Sequence, residues 1–149
     1  MIRNAVMADT NSIQVLVNFF AHKGQMLMLS KNEIYERLFE YMVYEAEGEI
    51  IGACALHPMW EDLAEIRSLA VRADMHRHGI GSGLVSAQLE RAKEYGFRSV
   101  FILTYMDNFF SKHGFSLISK DDLPKKIWTD CLKCVKFPDC DEIAMIKKI

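Results

Sequence analysis

The sequence predicts an α/β fold with a mixed sheet, and three observations carry that prediction. Short apolar runs alternate with stretches of helical period. Tyr41 to Ala46 and Ile50 to His57 flank Glu47-Gly48-Glu49, which reads as an antiparallel hairpin. A basic, glycine-punctuated turn from Arg72 to Val85 then joins an apparent strand to an apparent helix. Such alternation places helices on both faces of one sheet. The 149 residues, 50% of them hydrophobic, suit one domain with one core.

Element by element, Ile2 to Val6 reads as a first strand. Asp9 or Thr10 caps a helix that carries Ile13, Leu16, Val17 and Phe20 on one face, and Gly24 marks the loop after it. Ser30-Lys31-Asn32-Glu33 has the capping-box spacing, with Ile34, Leu38 and Phe39 as the buried face of the helix it opens. Pro58 to Leu63 reads as a loop and Ala64 to Val71 as a strand. Leu84, Val85, Ala87, Leu89, Ala92 and Tyr95 continue helically until Gly96 stops them. Ser99 to Thr104 has the apolar continuity of a strand buried on both faces. A short helix over Asn108 to His113, an extended piece from Phe115 to Ile118, and a last strand within Glu142 to Ile149 complete the pattern. That last strand suits pairing within one subunit or between two, so a homodimer is one expectation.

Composition excludes several classes. With 18 Lys plus Arg against 20 Asp plus Glu, the net charge of −2 offers no global field for nucleic acid or an anionic membrane. No apolar run is long enough for a membrane span, and Met1 to Val6 lacks the form of a signal peptide, so a cytoplasmic protein is expected. In that reducing setting the four cysteines, Cys54, Cys131, Cys134 and Cys140, are not expected to form structural disulfides.

The turn from Arg72 to Val85 has the chemistry of a pyrophosphate cradle. Glycines at 79, 81 and 83 remove the Cβ atoms that keep an anion from the backbone, and a helix's first amides lack intrahelical partners. Those amides and the positive end of the helix dipole attract phosphate. The spacing differs from the dinucleotide fingerprint and lacks the Gly-Lys-Ser/Thr ending of a P-loop.

Leu69-Ala70-Val71, the interval to Gly79-Ile80-Gly81, and Phe109-Phe110-Ser111-Lys112-His113-Gly114-Phe115 together resemble the GNAT superfamily of acyl-CoA N-acyltransferases. The resemblance runs from Ile2 to about Ile118. It implies a GNAT-like fold in which the strands of Leu69 and Ile102 splay apart and admit acetyl-CoA. It further implies that backbone groups of Leu69, Ala70 and Val71 meet the pantetheine arm, and that Arg77, His78, Gly79, Ile80, Gly81, Ser82 and Gly83 surround the pyrophosphate. Asn108 and Phe110 complete the implied cofactor site. The Leu69 N–H would polarise the thioester carbonyl as an oxyanion donor.

Two positions depart from the family pattern. His76 stands where Arg or Gln is usual, so pyrophosphate binding is expected to lean on backbone donors and Arg77, with little contribution from His76. Phe110 stands where many members have the Tyr that protonates the CoA thiolate, and Tyr105 is the candidate substitute. Glu65 is the candidate base, sharing a strand face with Arg67 and Leu69 if no bulge intervenes; His57 is the second choice. No cysteine aligns with a base, so attack in a ternary complex is expected over an acyl-enzyme route.

A narrower similarity, to the acetyltransferase domain of N-acetylglutamate synthases and their short stand-alone forms, rests on three stretches. These are Ala55-Leu56-His57-Pro58, Ala64 to Val71, and the tail from Leu123-Pro124 to Met145. It implies a small-molecule acceptor, the α-amine of an amino acid, with glutamate first and arginine biosynthesis as the context. Arg67 would grip a carboxylate, with Lys31, Ser30 and Lys112 as further contacts, although Leu29 stands where the family tends to place an Arg. Acetylation of a peptide or another small amine, and a catalytically weak CoA-binding sensor, are the alternatives. A Cys-containing extension spans about 120–141; Cys131, Cys134 and Cys140 would give a zinc only three of four ligands, so no metal is assigned.

Overall fold

The computed structural model describes residues 1–124 and 142–149. In chain order the elements are β1 (Ile2–Asn4), α1 (Thr10–Ala21), α2 (Lys31–Glu36), β2 (Tyr41–Ala46), β3 (Glu49–Trp60) and β4 (Leu63–Val71). They continue with α3 (Ile80–Glu94), β5 (Ser99–Thr104), α4 (Asp107–Lys112), β6 (Ser116–Ile118) and β7 (Ile143–Lys148). Among the described residues the strands form one mixed sheet in the order β1-β2-β3-β4-β5-β7-β6. By contacts the chain divides into two units, Met1–Leu56 with Ile66–Arg91, and His57–Glu65 with Ala92–Ile149.

In the first unit, β1 runs antiparallel to β2 and β2 antiparallel to β3. The β2–β3 turn has Glu47 at φ 52 and Gly48 at φ 77, the type I′ combination whose twist matches the strands it joins. Ile13, Leu16, Val17 and Phe20 of α1 pack with Ile34, Val43, Ala53, Ala55 and Ala70 in one apolar cluster. Phe39 does not join it: at 88% exposure it stands in solvent, because the chain has left α2 for a 3₁₀ turn. The Ser30–Glu33 capping box forms as expected. Asp9, the expected helix cap, instead accepts the Val6 N–H at 2.9 Å and a two-pronged grip from Arg3 at 2.7 and 3.0 Å, tying β1 to the entry of α1.

Helix α3 lies on β3 closely enough that a Cβ on Gly52 would stand 2.9 Å from Leu84 and 3.0 Å from Ile80. Its buried face includes a residue the apolar pattern passes over. Gln88, fully buried, donates to the Cys54 carbonyl at 2.6 Å and the Glu40 carbonyl at 3.1 Å, satisfying backbone acceptors that burial would otherwise orphan.

In the second unit the expected loop at Pro58 is strand, and only Glu61 and Asp62 turn the chain. The β2–β3 pairing ends at Tyr41↔Ala55, so Pro58 lies past the last β2 partner, where no donor is owed on that side. The first residues of β4 pair parallel with β5, Leu63↔Ser99 to Glu65↔Phe101. The last strand is not an edge: β7 pairs antiparallel with β5 on one side and with β6 on the other, so its pairing is within the subunit. Met59, Leu63, Phe101, Leu123 and Ala144 form this unit's apolar cluster. Tyr95 falls just past α3 and is 69% exposed, outside the buried face expected for it. Among the described residues no helix is long and apolar enough to cross a membrane.

Candidate active site

The segment from Ile66 to Ser82, all in the first unit, carries most of the expected site. Its decisive irregularity is Ser68, which sits in the middle of β4 with φ 53. A left-handed residue inside a strand is a bulge-like interruption, and it breaks the two-residue alternation between Arg67 and Leu69, so Leu69 does not simply continue a face with Glu65 and Arg67. That expectation is therefore corrected. The Ser68 side chain is hydrogen-bonded to the hydroxyl of Tyr41, which opens β2 and is 3% exposed. Burial raises the Tyr41 phenol above its ordinary range, against the Ser68 hydrogen bond and the charges of Arg37 and Arg67, so it stays protonated at neutral pH. Past the bulge Ala70 returns to the core cluster.

Beyond Val71 the chain is held at few points. The Arg72 N–H donates to the Ile51 carbonyl at 2.9 Å and a 3₁₀ turn follows at Ala73–Met75. The Arg72 guanidinium is spent on Asp74 at 2.7 Å and Glu49 at 2.8 Å. His76 places Nε2 2.7 Å from the Val71 carbonyl and stacks on Phe20 of α1, centroids 5.9 Å apart and planes 15° from parallel. Arg77 is left-handed at φ 67 and Gly79 at φ 78, after which α3 begins. Left-handed residues in such a turn bring successive N–H groups toward one side, the geometry of an anion-binding nest. No atom lies within 4 Å of a Cβ built on Gly79, so glycine is required there by conformation and not by crowding. Gly83 is different from Gly79. Its N–H is spent on the Gly79 carbonyl at 2.9 Å and its Cα faces Ile2, with 3.1 Å to a Cβ placed there, so its small size serves packing against β1.

The expected acceptor contacts of this unit lie at α2 and on β4. Ser30 has its hydroxyl committed to the capping box with Glu33, and Lys31 is exposed at the start of α2. Arg67 is half-buried on β4 beside the bulge. Leu29 packs its side chain against the apolar cluster, while Asn18 holds its backbone at both ends, accepting its N–H at 2.9 Å and donating to its carbonyl at 3.0 Å.

The remaining expected residues belong to the second unit. Glu65 is buried, 7% exposed, at the parallel pairing with Phe101. Tyr105 follows β5 at 38% exposure and Asn108 is exposed in the first turn of α4. Phe110 is fully buried, its ring 4.9 Å from Phe109 and 5.4 Å from Phe115. It is packed among aromatic rings at the position where the resemblance implies a cofactor contact. Lys112 ends α4 in solvent. His57, the second-choice base, is half-buried on β3. Burial and then the Lys147 charge hold His113 below the ordinary histidine range, while its carbonyl accepts from Lys147 Nζ at 2.7 Å. Cys54, in the first unit, is buried with its thiol pushed up to about 12, which removes it as a nucleophile. Cys131, Cys134 and Cys140 lie outside the described residues; among those described, no cluster of His, Cys, Asp and Glu is arranged to hold a metal.

An amide-rich turn between a strand and the start of a helix is what the family resemblance implied; the left-handed residue within the strand was not part of it. The sequence profile of the Acetyltransferase (GNAT) family matches residues 13–115. The chain belongs to the GNAT family. It is an N-acetyltransferase, and the acyl donor of this family is acetyl-CoA. It is 40% identical over 148 residues to an uncharacterized N-acetyltransferase of Chlorobaculum tepidum, covering 99% of this chain and 96% of the relative. An amino-acid acetyltransferase of Mycobacterium tuberculosis is 35% identical over 135 residues, with 87% and 76% covered. Among solved structures, Rv2747 from Mycobacterium tuberculosis in complex with CoA and NLQ superposes with a TM-score of 0.86 at 30% identity, covering 100% of this chain and 99% of that one. The N-acetylglutamate synthase of Neisseria gonorrhoeae complexed with coenzyme A and N-acetyl-glutamate matches with a TM-score of 0.90. At 24% identity, with only 34% of its length covered, it attests the GNAT fold.

Sequence reasoning missed Ser68, Tyr41, Gln88 and the partners of His76. The only local hint of the bulge was a serine, a weak strand former, in the middle of an apolar run.

Proposed function

We propose that this GNAT protein transfers the acetyl group of acetyl-CoA to the α-amine of a free amino acid, with glutamate as the first acceptor and arginine biosynthesis as its setting. The observation that carries the reading is the single segment from Ser68 to Ser82. It combines a backbone interruption beside Leu69 with a turn whose left-handed residues and glycine prepare amides for an anion. The relatives named amino-acid acetyltransferases support the acceptor class.

In this mechanism the bulge at Ser68 turns the Leu69 N–H out of the regular ladder and toward the thioester oxygen. Backbone groups of Ala70 and Val71 guide the pantetheine arm, and Arg77 to Ser82 receive the pyrophosphate. The neutral amine attacks the carbonyl carbon, negative charge grows on the oxygen, and the Leu69 dipole stabilises it; one such fixed donor contributes about 3 kcal/mol. The C–S bond then breaks and the CoA thiolate leaves. A thiol of pKa about 8.5 departs without a strong acid, which accords with a buried Phe110 that carries no hydroxyl. Glu65 takes the amine proton, directly or through water, and Tyr105 is the candidate donor to the thiolate. Arg67, with Lys31 and Lys112, supplies the positive charge for the acceptor's carboxylates.

The second reading, a peptide or other small amine as acceptor, is favoured by Leu29, an apolar side chain where a carboxylate partner was expected. Thiol release from acetyl-CoA across a panel of free amino acids, peptides and simple amines separates the two. The highest kcat/KM is expected with glutamate, and Arg67→Ala is expected to raise the glutamate KM at least tenfold. Turnover with peptides and with no free amino acid would replace the proposal.

A further inference from the structure

We infer that His76 is a positioning residue, clamping the β4–α3 turn to α1 so that affinity for acetyl-CoA depends on an imidazole that does not bind the phosphates. The inference rests on the reading above, that this turn receives the cofactor's pyrophosphate. The sequence alone assigned His76 little importance; the structure provides it with two partners. In the plane of the ring, Nε2 donates to the Val71 carbonyl at 2.7 Å and closes the chain on itself across the 3₁₀ turn Ala73–Met75. Phe20 lies nearly parallel to the ring, planes 15° apart and centroids 5.9 Å apart.

Phe20 is a firm support. It is 8% exposed, belongs to the apolar cluster of the first unit, and meets Phe19 edge-on at 5.1 Å, over which Lys23 Nζ lies 4.3 Å from the ring centroid. An imidazole held in this way has its Nε2–H spent on a carbonyl, which leaves it poorly placed to grip an anion. It is well placed to fix the backbone. The very next residue, Arg77, is held in the left-handed region that a non-glycine residue enters only at a cost, and Gly79 follows in the same region. The turn lies at the surface: Ala73, Asp74, His76, Arg77, His78 and Gly79 are exposed, and the Arg72 guanidinium, engaged with Glu49 and Asp74, tethers its start while His76 tethers its middle. A turn already ordered before the cofactor arrives spares it the cost of ordering that turn.

The test uses the whole protein and two readouts, steady-state kinetics with acetyl-CoA and hydrogen exchange of residues 76–82 without cofactor. His76→Ala is expected to raise the acetyl-CoA KM about tenfold, the loss of roughly one hydrogen bond and one ring contact, with kcat changed less than about twofold. Exchange at residues 77–82 is expected to quicken by a similar factor. His76→Gln, which keeps an N–H donor at a comparable reach, is expected to restore most of the affinity. His76→Phe keeps only the stack and is expected to fall between. Phe20→Leu combined with His76→Ala is expected to cost less than the two singly added, because both remove one clamp. Unchanged KM and unchanged exchange in His76→Ala would overturn the inference, as would a fall in kcat at constant KM, which would place His76 in the chemistry. Quickened exchange in a protein that binds no CoA would leave the clamp standing and overturn the cofactor reading on which the KM effect depends.

Discussion

Two turns of the first unit use the same backbone conformation for opposite ends. Glu47 and Gly48 are left-handed at φ 52 and 77; Arg77 and Gly79 are left-handed at φ 67 and 78. The first pair joins two strands already registered as Ala46↔Glu49, so the turn serves the ladder. The second pair opens a helix whose leading amides have no intrahelical acceptor. Conformational cost is similar at the two sites, and neither glycine has an atom within 4 Å of a built Cβ. A left-handed glycine therefore marks a constraint, and the hydrogen-bond accounting around it decides whether that constraint serves folding or binding.

The same substitution at both turns is the strongest way to break this comparison. Gly79→Val is expected to raise the acetyl-CoA KM a hundredfold or more, because a β-branched residue is an outlier at that φ and the turn must reshape. Gly48→Val is expected to cost about 1–2 kcal/mol in chemical denaturation and to leave KM alone. Equal KM effects would erase the distinction. Ser68→Val comes next. It forces the bulge beside Leu69 to relax, and kcat is expected to fall about a hundredfold with KM for acetyl-CoA nearly constant, as loss of one oxyanion donor predicts. A stopped assay at saturating acetyl-CoA would detect it.

Smaller effects separate the framework from the site. Gln88→Leu strands the Cys54 and Glu40 carbonyls and is expected to cost about 2 kcal/mol of stability, read as a lower Tm, without changing KM. Asp9 sharpens the folding side further. Hydrogen bonds from Arg3 hold its carboxyl below the usual range, so its contribution to stability is complete above about pH 4 and is lost as pH falls through the folded-state value. Asp9→Asn is expected to be less stable at neutral pH and to lose less on acidification. A denaturation series from pH 7 to about pH 3 would show the two curves converging.

The legible parts of this protein were those in which pattern and local chemistry agree. β2 and β5 have the bounds expected from their apolar runs, and the Ser30–Glu33 box caps α2 as its spacing requires. The illegible parts were decided by partners distant in sequence. Ser68 is left-handed where a serine in an apolar run is only a faint hint, with the distant Tyr41 as its side-chain partner. Gln88 looks like a polar interruption of α3 until Cys54 and Glu40 supply acceptors for it. His76 looked like a weakened phosphate ligand because its partners, Phe20 and Val71, belong to α1 and β4. Pro58 looked like a loop because proline cannot donate to a ladder; that β2 stops at its pairing with Ala55, leaving no donor owed on that side, is recorded by no local signal.

The position of β7 has a consequence for synthesis. Every residue of the first unit has been translated by Arg91, so its cluster and the Ser68–Ser82 segment can assemble while the ribosome is still at work. The second unit must wait: β5 and β6 are made early, yet the strand that joins them is Ile143–Lys148. Until it emerges, β5 and β6 lack their shared partner and expose unpaired backbone. That interval is when the growing chain is most open to capture by another strand, and slow translation of the intervening stretch would lengthen it.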